Sequence, residues 1–231
     1  MYILAVDSAS KTASVALLKD GMLISEFFTN TGFQHSRTLM PMIKSLLDCC
    51  EITVDDIDFF ASVTGPGSFT GVRIGVSAVK GMASVKNIPC VEISALETAA
   101  YSVSAFDGIV CPVMDARCSQ VYNALFECSN GKMTRLCEDR ALKICELFDQ
   151  LKTFDKPIVF VGDGAEMCYA LAKQERLPFM LPESNLIYPR ASSAGIIAYD
   201  MINNGYSPLT AEKLAPMYLR PPQAERQKNK Q

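Results

Sequence analysis

The chain has 231 residues, of which 49% are hydrophobic and 20% charged, with a formal net charge of -3 and a mean hydropathy of +0.14. This balance excludes an intrinsically disordered chain, which needs low hydropathy and high net charge. It also excludes a protein that holds nucleic acid through a general excess of lysine and arginine.

The first ten residues, MYILAVDSAS, carry no basic segment and reach Asp7 after a short apolar run, which predicts a strand in place of a signal peptide. No apolar run approaches the length of a membrane span. Nine cysteines include no Cys-x-x-Cys pair, and an odd count without an export signal predicts reduced thiols in a soluble, cytoplasmic protein.

Runs over 2–6, 13–18 and 22–28 predict a three-stranded meander with a hairpin turn at Asp20-Gly21. A helix is predicted over 35–50, with Thr38 as its cap so that Pro41 falls in the first turn, where a missing N–H costs nothing. A strand over 59–64, a glycine loop, a helix to Lys86 and a strand over 89–93 follow. Ser94 and Glu97 predict a capping box for the next helix. At Gly108 the pattern restarts: an apolar run ends in Asp115, a polar turn follows, and residues 120–126 return as a strand before Asn130-Gly131. Helices over 145–152, 165–176 and 192–204 and a strand over 157–161 complete the second half, with Gly162-Asp163-Gly164 as a turn. A strand ending in Asp, a turn and a returning strand thus recur about a hundred residues apart, the mark of a duplication. The fold class is α/β, with lobes over 1–107 and 108–220 and a polar tail over 221–231 that carries Arg226, Lys228 and Lys230.

The loop of Gly65, Pro66, Gly67, Ser68, Phe69, Thr70 and Gly71 stands between a strand and a helix, where a phosphate cradle would stand. It lacks the Gly-Lys-Ser/Thr ending that reaches terminal phosphates, and three residues separate its last two glycines where the dinucleotide fingerprint has two. It is read as a tight turn into a helix capped by Ser68 or Thr70. Asp7 and Asp115 end equivalent strands. Either they hold a metal or act as base in a phosphotransferase, or they accept hydrogen bonds from the amides of their own turns. Those turns, Ser8 to Lys11 and Ala116 to Ser119, contain no glycine, and Arg117 puts a guanidinium where bare backbone would be needed. His35 is the only histidine, so a His-based metal hydrolase cannot be built, and the residues call for no metal and no cofactor.

Two helices are apolar on more than one side. Leu39, Ile43 and Leu46 form one stripe of the first, with Met42 beyond it. Val76 and Val79 form one stripe of the second, while Gly75, Ala78, Gly81 and Met82 form another. Glycines inside a helix cost about 1 kcal/mol each relative to alanine, so the sequence predicts a partner helix packed closely against them.

The segments VTGPGSFTGVRIG, His35-Ser36-Arg37, VMDARCSQVYNALF and PMYLR together resemble the TsaB (YeaZ) family over nearly the whole chain. The resemblance implies a two-lobed actin-like (ASKHA) ATPase fold with a degenerate nucleotide site at Asp7, Ser8, Asp115 and Arg117. It implies a non-catalytic subunit of tRNA threonylcarbamoyladenosine synthesis that pairs with a TsaD-like catalytic subunit. His35, Leu39, Met42, Ile43, Leu46, Arg73, Gly75, Val76, Ala78, Val79 and Met82 would face that subunit or a second copy of this chain. A TsaE-like ATPase and tRNA would join through the complex.

Overall fold

The structure, a computed structural model, describes residues 1–32 and 34–220. The predicted tail therefore lies outside the described residues. Strands β1 (Tyr2–Asp7), β2 (Ala13–Lys19), β3 (Met22–Thr29), β4 (Phe59–Gly65) and β5 (Cys90–Ser94) form a sheet in the order β3-β2-β1-β4-β5. Strands β6 (Gly108–Asp115), β7 (Gln120–Ser129), β8 (Lys132–Lys143) and β9 (Ile158–Val161) form a second sheet in the order β8-β7-β6-β9. In each, the first strand runs antiparallel to the second and parallel to the fourth, so the duplication legible in the sequence is structural.

Strand β8 carries no sequence signal of comparable strength, because KMTRLCEDRALK alternates half-buried and exposed side chains, most of them polar. It forms because Asn130 and Gly131 take left-handed dihedrals that turn β7 back on itself and let the new strand pair along it.

Side-chain alternation gives the first sheet two apolar faces. Val6, Val15 and Leu17 lie on one, under the helices α1 (His35–Cys49) and α2 (Phe69–Lys86). Ala16 and Leu18 lie on the other, under α6 (Ala191–Asn203), where Leu18 presses against Gly195. The last helix among the described residues thus packs on the first sheet, which its place within 108–220 does not foretell. Its N-terminus is satisfied there, with Ala191 N–H donating to Ser14 Oγ at 3.0 Å and Ser192 N–H to Glu26 at 2.9 Å. Helices α4 (Ile144–Leu151) and α5 (Ala165–Gln174) cover the second sheet, and α3 (Ala95–Tyr101) lies between the lobes, touching β4, β6 and α6.

Two cap expectations are corrected. Helix α1 opens at Gln34, so Pro41 lies inside it and Thr38 is a helical residue. Ser94 does accept the Glu97 N–H at 3.2 Å, but the Glu97 carboxylate turns away to Arg135 at 2.7 Å, where a full charge outbids a single amide.

Candidate functional site

The β1–β2 turn is built from small polar residues that serve their own backbone. The Asp7 carboxylate accepts the Ala9 N–H at 2.9 Å, and Asp115 accepts the Arg117 N–H at 2.7 Å in the equivalent turn of the second lobe. Both aspartates thus accept an amide two residues on in their own turns. Arg117, Cys118 and Ser119 all take left-handed dihedrals, a run of three non-glycine residues that costs roughly 1–2 kcal/mol each. The Asp115 carboxylate offsets part of that cost by also pairing with the Arg117 guanidinium at 3.3 Å.

The glycine loop packs directly onto the first of these turns. The Ser68 N–H donates to the Ala9 carbonyl at 2.7 Å, and Ser68 Oγ caps α2 by accepting the Gly71 N–H at 3.2 Å. A Cβ on Gly67 would collide with the Ala9 carbonyl, one on Gly71 with the Ser8 carbonyl, and one on Gly75 with Ser8 Oγ. The expectation that Gly75 serves contact between proteins is therefore wrong. These three glycines let the loop and α2 approach β1 and its turn within the same chain, and of the glycines in α2 only Gly81 has open space beside it.

Between the lobes lies a cleft of about 880 Å³. Its walls are the β1–β2 turn, the glycine loop, the β6–β7 turn, Asp163 and the C-terminal segment 217–220. Asp163 joins the two turns, because its carboxylate accepts the Asp115 N–H at 3.2 Å and interacts with the Lys11 amide. Sequence reasoning placed Asp163 only in a turn; its signal was an acid between two glycines at a strand-to-helix junction. His35 also sits at this cleft, bonded through Nε2 to the Ser10 carbonyl at 2.8 Å, a positioning contact for the turn.

Burial raises the Asp7 carboxyl to about 6; the Ala9 amide opposes the shift, and the Asp163 and Glu26 carboxylates add to it. Its second oxygen has no protein partner among the described residues. Since the folded-state pKa lies above the ordinary value of 3.8, the protonated carboxyl favours folding below that pH. The contribution is lost as pH rises through about 6. Asp7→Asn is therefore expected to melt at a higher temperature than the parent at pH 8, by roughly 1–3 kcal/mol of stability, with the gap closing at pH 4. Thermal melts across that range test it, and an equal gap at both ends would refute the assignment.

The C-terminal segment crosses the cleft. Met217 N–H donates to the Thr64 carbonyl at 2.8 Å, Tyr218 stacks on Phe69 with centroids 5.0 Å apart, and Arg220 donates to the Ala116 carbonyl at 3.3 Å. Lys80 of α2 donates to the carbonyls of Glu212 and Leu214 at 3.0 and 2.9 Å. This strap ties α2 to the second lobe, and nothing in its local pattern foretold where it would lie.

Leu39, Ile43, Leu46, Gly75, Val76 and Val79 are buried in the chain's own core, so they support the α1–α2 surface without reaching it. His35, Met42, Ala78 and Met82 are half-buried and Arg73 is exposed. Met40 and Val85, at 47% and 79% exposure, extend the apolar face beyond the predicted set. Burial pushes the Cys90 thiol to about 11 and Cys168 to about 12, which suits them to packing and not to chemistry. Among the described residues no three acidic, His or Cys side chains form a metal-binding group, and no helix is long and apolar enough to cross a membrane.

Two sheets of one strand order, each opened by a strand that ends in aspartate and is followed by a turn at a shared cleft, define a two-lobed actin-like fold. The chain is 38% identical to the tRNA threonylcarbamoyladenosine biosynthesis protein TsaB of Bacillus subtilis over 72% of this chain and 73% of that protein. It is 30% identical to the Escherichia coli protein of that name over 95% of each. The chain belongs to the TsaB (YeaZ) family. The family model for TsaD, tRNA N6-adenosine threonylcarbamoyltransferase, also matches residues 29–227. A solved structure of YeaZ from Pseudomonas aeruginosa is similar to this one with a TM-score of 0.78 and 26% identity, covering 94% of this chain and 99% of that one.

Proposed function

We propose that this chain is the non-catalytic subunit of tRNA threonylcarbamoyladenosine synthesis and docks the exposed face of α1 and α2 onto a TsaD-type transferase. The observation that carries this reading is that amides of the β1–β2 turn are taken up by the chain itself. Where a phosphotransferase leaves bare amides for phosphate, the Ala9 N–H donates to the Asp7 carboxylate at 2.9 Å and the Thr12 N–H to Ser10 Oγ at 3.1 Å. A subunit without a usable phosphate turn contributes by binding, and exposed Met40 of α1 and Val85 of α2 supply apolar surface to bind with. A TsaE-type ATPase and tRNA join through the assembled complex, and the same face serves a second copy of this chain when the transferase is absent.

Mixing the chain with the transferase of its own organism is expected to give a heterodimer by light scattering and to restore threonylcarbamoyladenosine formation on tRNA. The competing reading, a phosphotransferase working through Asp7 and Asp115, requires magnesium-ATP to bind the isolated chain. Calorimetry is expected to register no binding at millimolar ATP; saturable binding with ATP turnover, abolished in Asp115→Asn, would overturn the non-catalytic reading.

A further inference from the structure

Arg73 is the one charged side chain on the outward stripe of α2 that continues through Ser77, Gly81 and Val85, residues spaced four apart on one side of the helix. A surface arginine ordinarily samples many rotamers, and this one is held. Its guanidinium carbon lies 3.8 Å from the centroid of the Phe69 ring, and its Nε donates to Tyr218 Oη at 2.6 Å. Phe69 is fixed in turn by stacking on Tyr218. Tyr218 belongs to the PMYLR strap, anchored on one side by Met217 N–H to the Thr64 carbonyl and on the other by Arg220 to the Ala116 carbonyl. Among the described residues no carboxylate pairs with Arg73, and its two terminal nitrogens have no protein acceptor.

A guanidinium whose Nε is spent and whose plane is clamped presents its terminal nitrogens as a fork, the geometry that binds a carboxylate through two parallel hydrogen bonds. Charge complementarity thus specifies one end of the α2 stripe, and the open space beside Gly81 with exposed Val85 specifies the other as apolar and closely approached. Resting on the docking reading above, we infer that Arg73 is a pre-set anchor for an aspartate or glutamate on the transferase helix that packs along α2, and that the PMYLR strap holds it in the binding pose. An arginine already ordered in the free protein loses less freedom on binding, which is what distinguishes an interface anchor from an ordinary rim charge.

The test measures affinity for the same organism's transferase by biolayer interferometry, with folding of every variant checked by its thermal melt. Arg73→Ala and Arg73→Lys are each expected to weaken binding about 10- to 100-fold, lysine failing because an ammonium cannot make the paired contact. Tyr218→Phe keeps the stack and removes the hydroxyl, and should cost several-fold. The double variant Arg73→Ala/Tyr218→Phe should bind no worse than Arg73→Ala alone, because the tyrosine acts through the arginine. If Arg73→Ala and Arg73→Lys bind as the parent does while Val85→Arg does not bind, the anchor is refuted and the docking reading stands. If Val85→Arg also binds normally, the docking reading falls with it. If Arg73→Ala lowers affinity for bare tRNA and leaves transferase affinity unchanged, the fork holds a phosphate and the inference is overturned.

Discussion

Gly71→Val is expected to leave almost no folded protein. The position lies where α2 meets the β1–β2 turn, and a Cβ there would overlap the Ser8 carbonyl, a backbone atom with nowhere to go. Relief requires α2 to lift from β1, and Val72, Val76 and Val79, all fully buried, lift with it. Exposing even two of them costs about 3–6 kcal/mol, comparable to the whole stability of a typical domain. Gly67→Val and Gly75→Leu should fail similarly, by collision with Ala9 and Ser8. Gly81→Ala is the control in the same helix: beyond the helix's own backbone nothing lies within 4 Å of where its Cβ would stand, and a helical glycine replaced by alanine gains about 1 kcal/mol. Soluble yield and circular dichroism melts decide the matter, and a Gly71→Val protein melting within a few degrees of the parent would show that the packing described here is wrong.

The second large effect is on assembly. Gly81→Leu and Val85→Arg change side chains that touch little within the chain, so both proteins should fold with near-parent melting temperatures. Each should lower affinity for the transferase at least about 100-fold, because a leucine fills the space a partner helix would need and an arginine places a charge in an apolar contact. Threonylcarbamoyladenosine formation on tRNA should fall in parallel and recover when the parent chain is added. Retention of both binding and activity by folded Val85→Arg would remove the α1–α2 face from consideration. These two experiments separate roles that sequence alone merged, since glycines 75 and 81 share one stripe of a helical pattern yet one faces Ser8 and the other faces solvent.

The merging has a physical origin. A hydrophobic period of 3.6 states which side of a helix is apolar, and it cannot state whether the neighbour on that side is the chain's own sheet or another molecule. Leu39, Ile43, Leu46, Val76 and Val79 carry the same signal as Met40, Met82 and Val85, yet the first five are consumed by the core. In the Asp7 and Asp115 turns the sequence was more informative, because a carboxylate accepting an amide two residues on is a local event that needs no distant partner.

Local chemistry was therefore enough to determine the strands that end in aspartate, their repetition in two sheets, the hairpins at Asp20-Gly21 and Asn130-Gly131, and a hydroxyl cap for α2 at Ser68 or Thr70, of which the structure uses Ser68. Only the tertiary structure decided that the loop's glycines admit the Ser8 and Ala9 carbonyls, that α6 returns to the first sheet, that Asp163 bridges the two turns, and that PMYLR crosses the cleft to clamp Arg73. Each of these joins residues far apart in the chain through a backbone carbonyl, an amide or a ring face, groups that nearly every position possesses and that no pattern of residue types can single out.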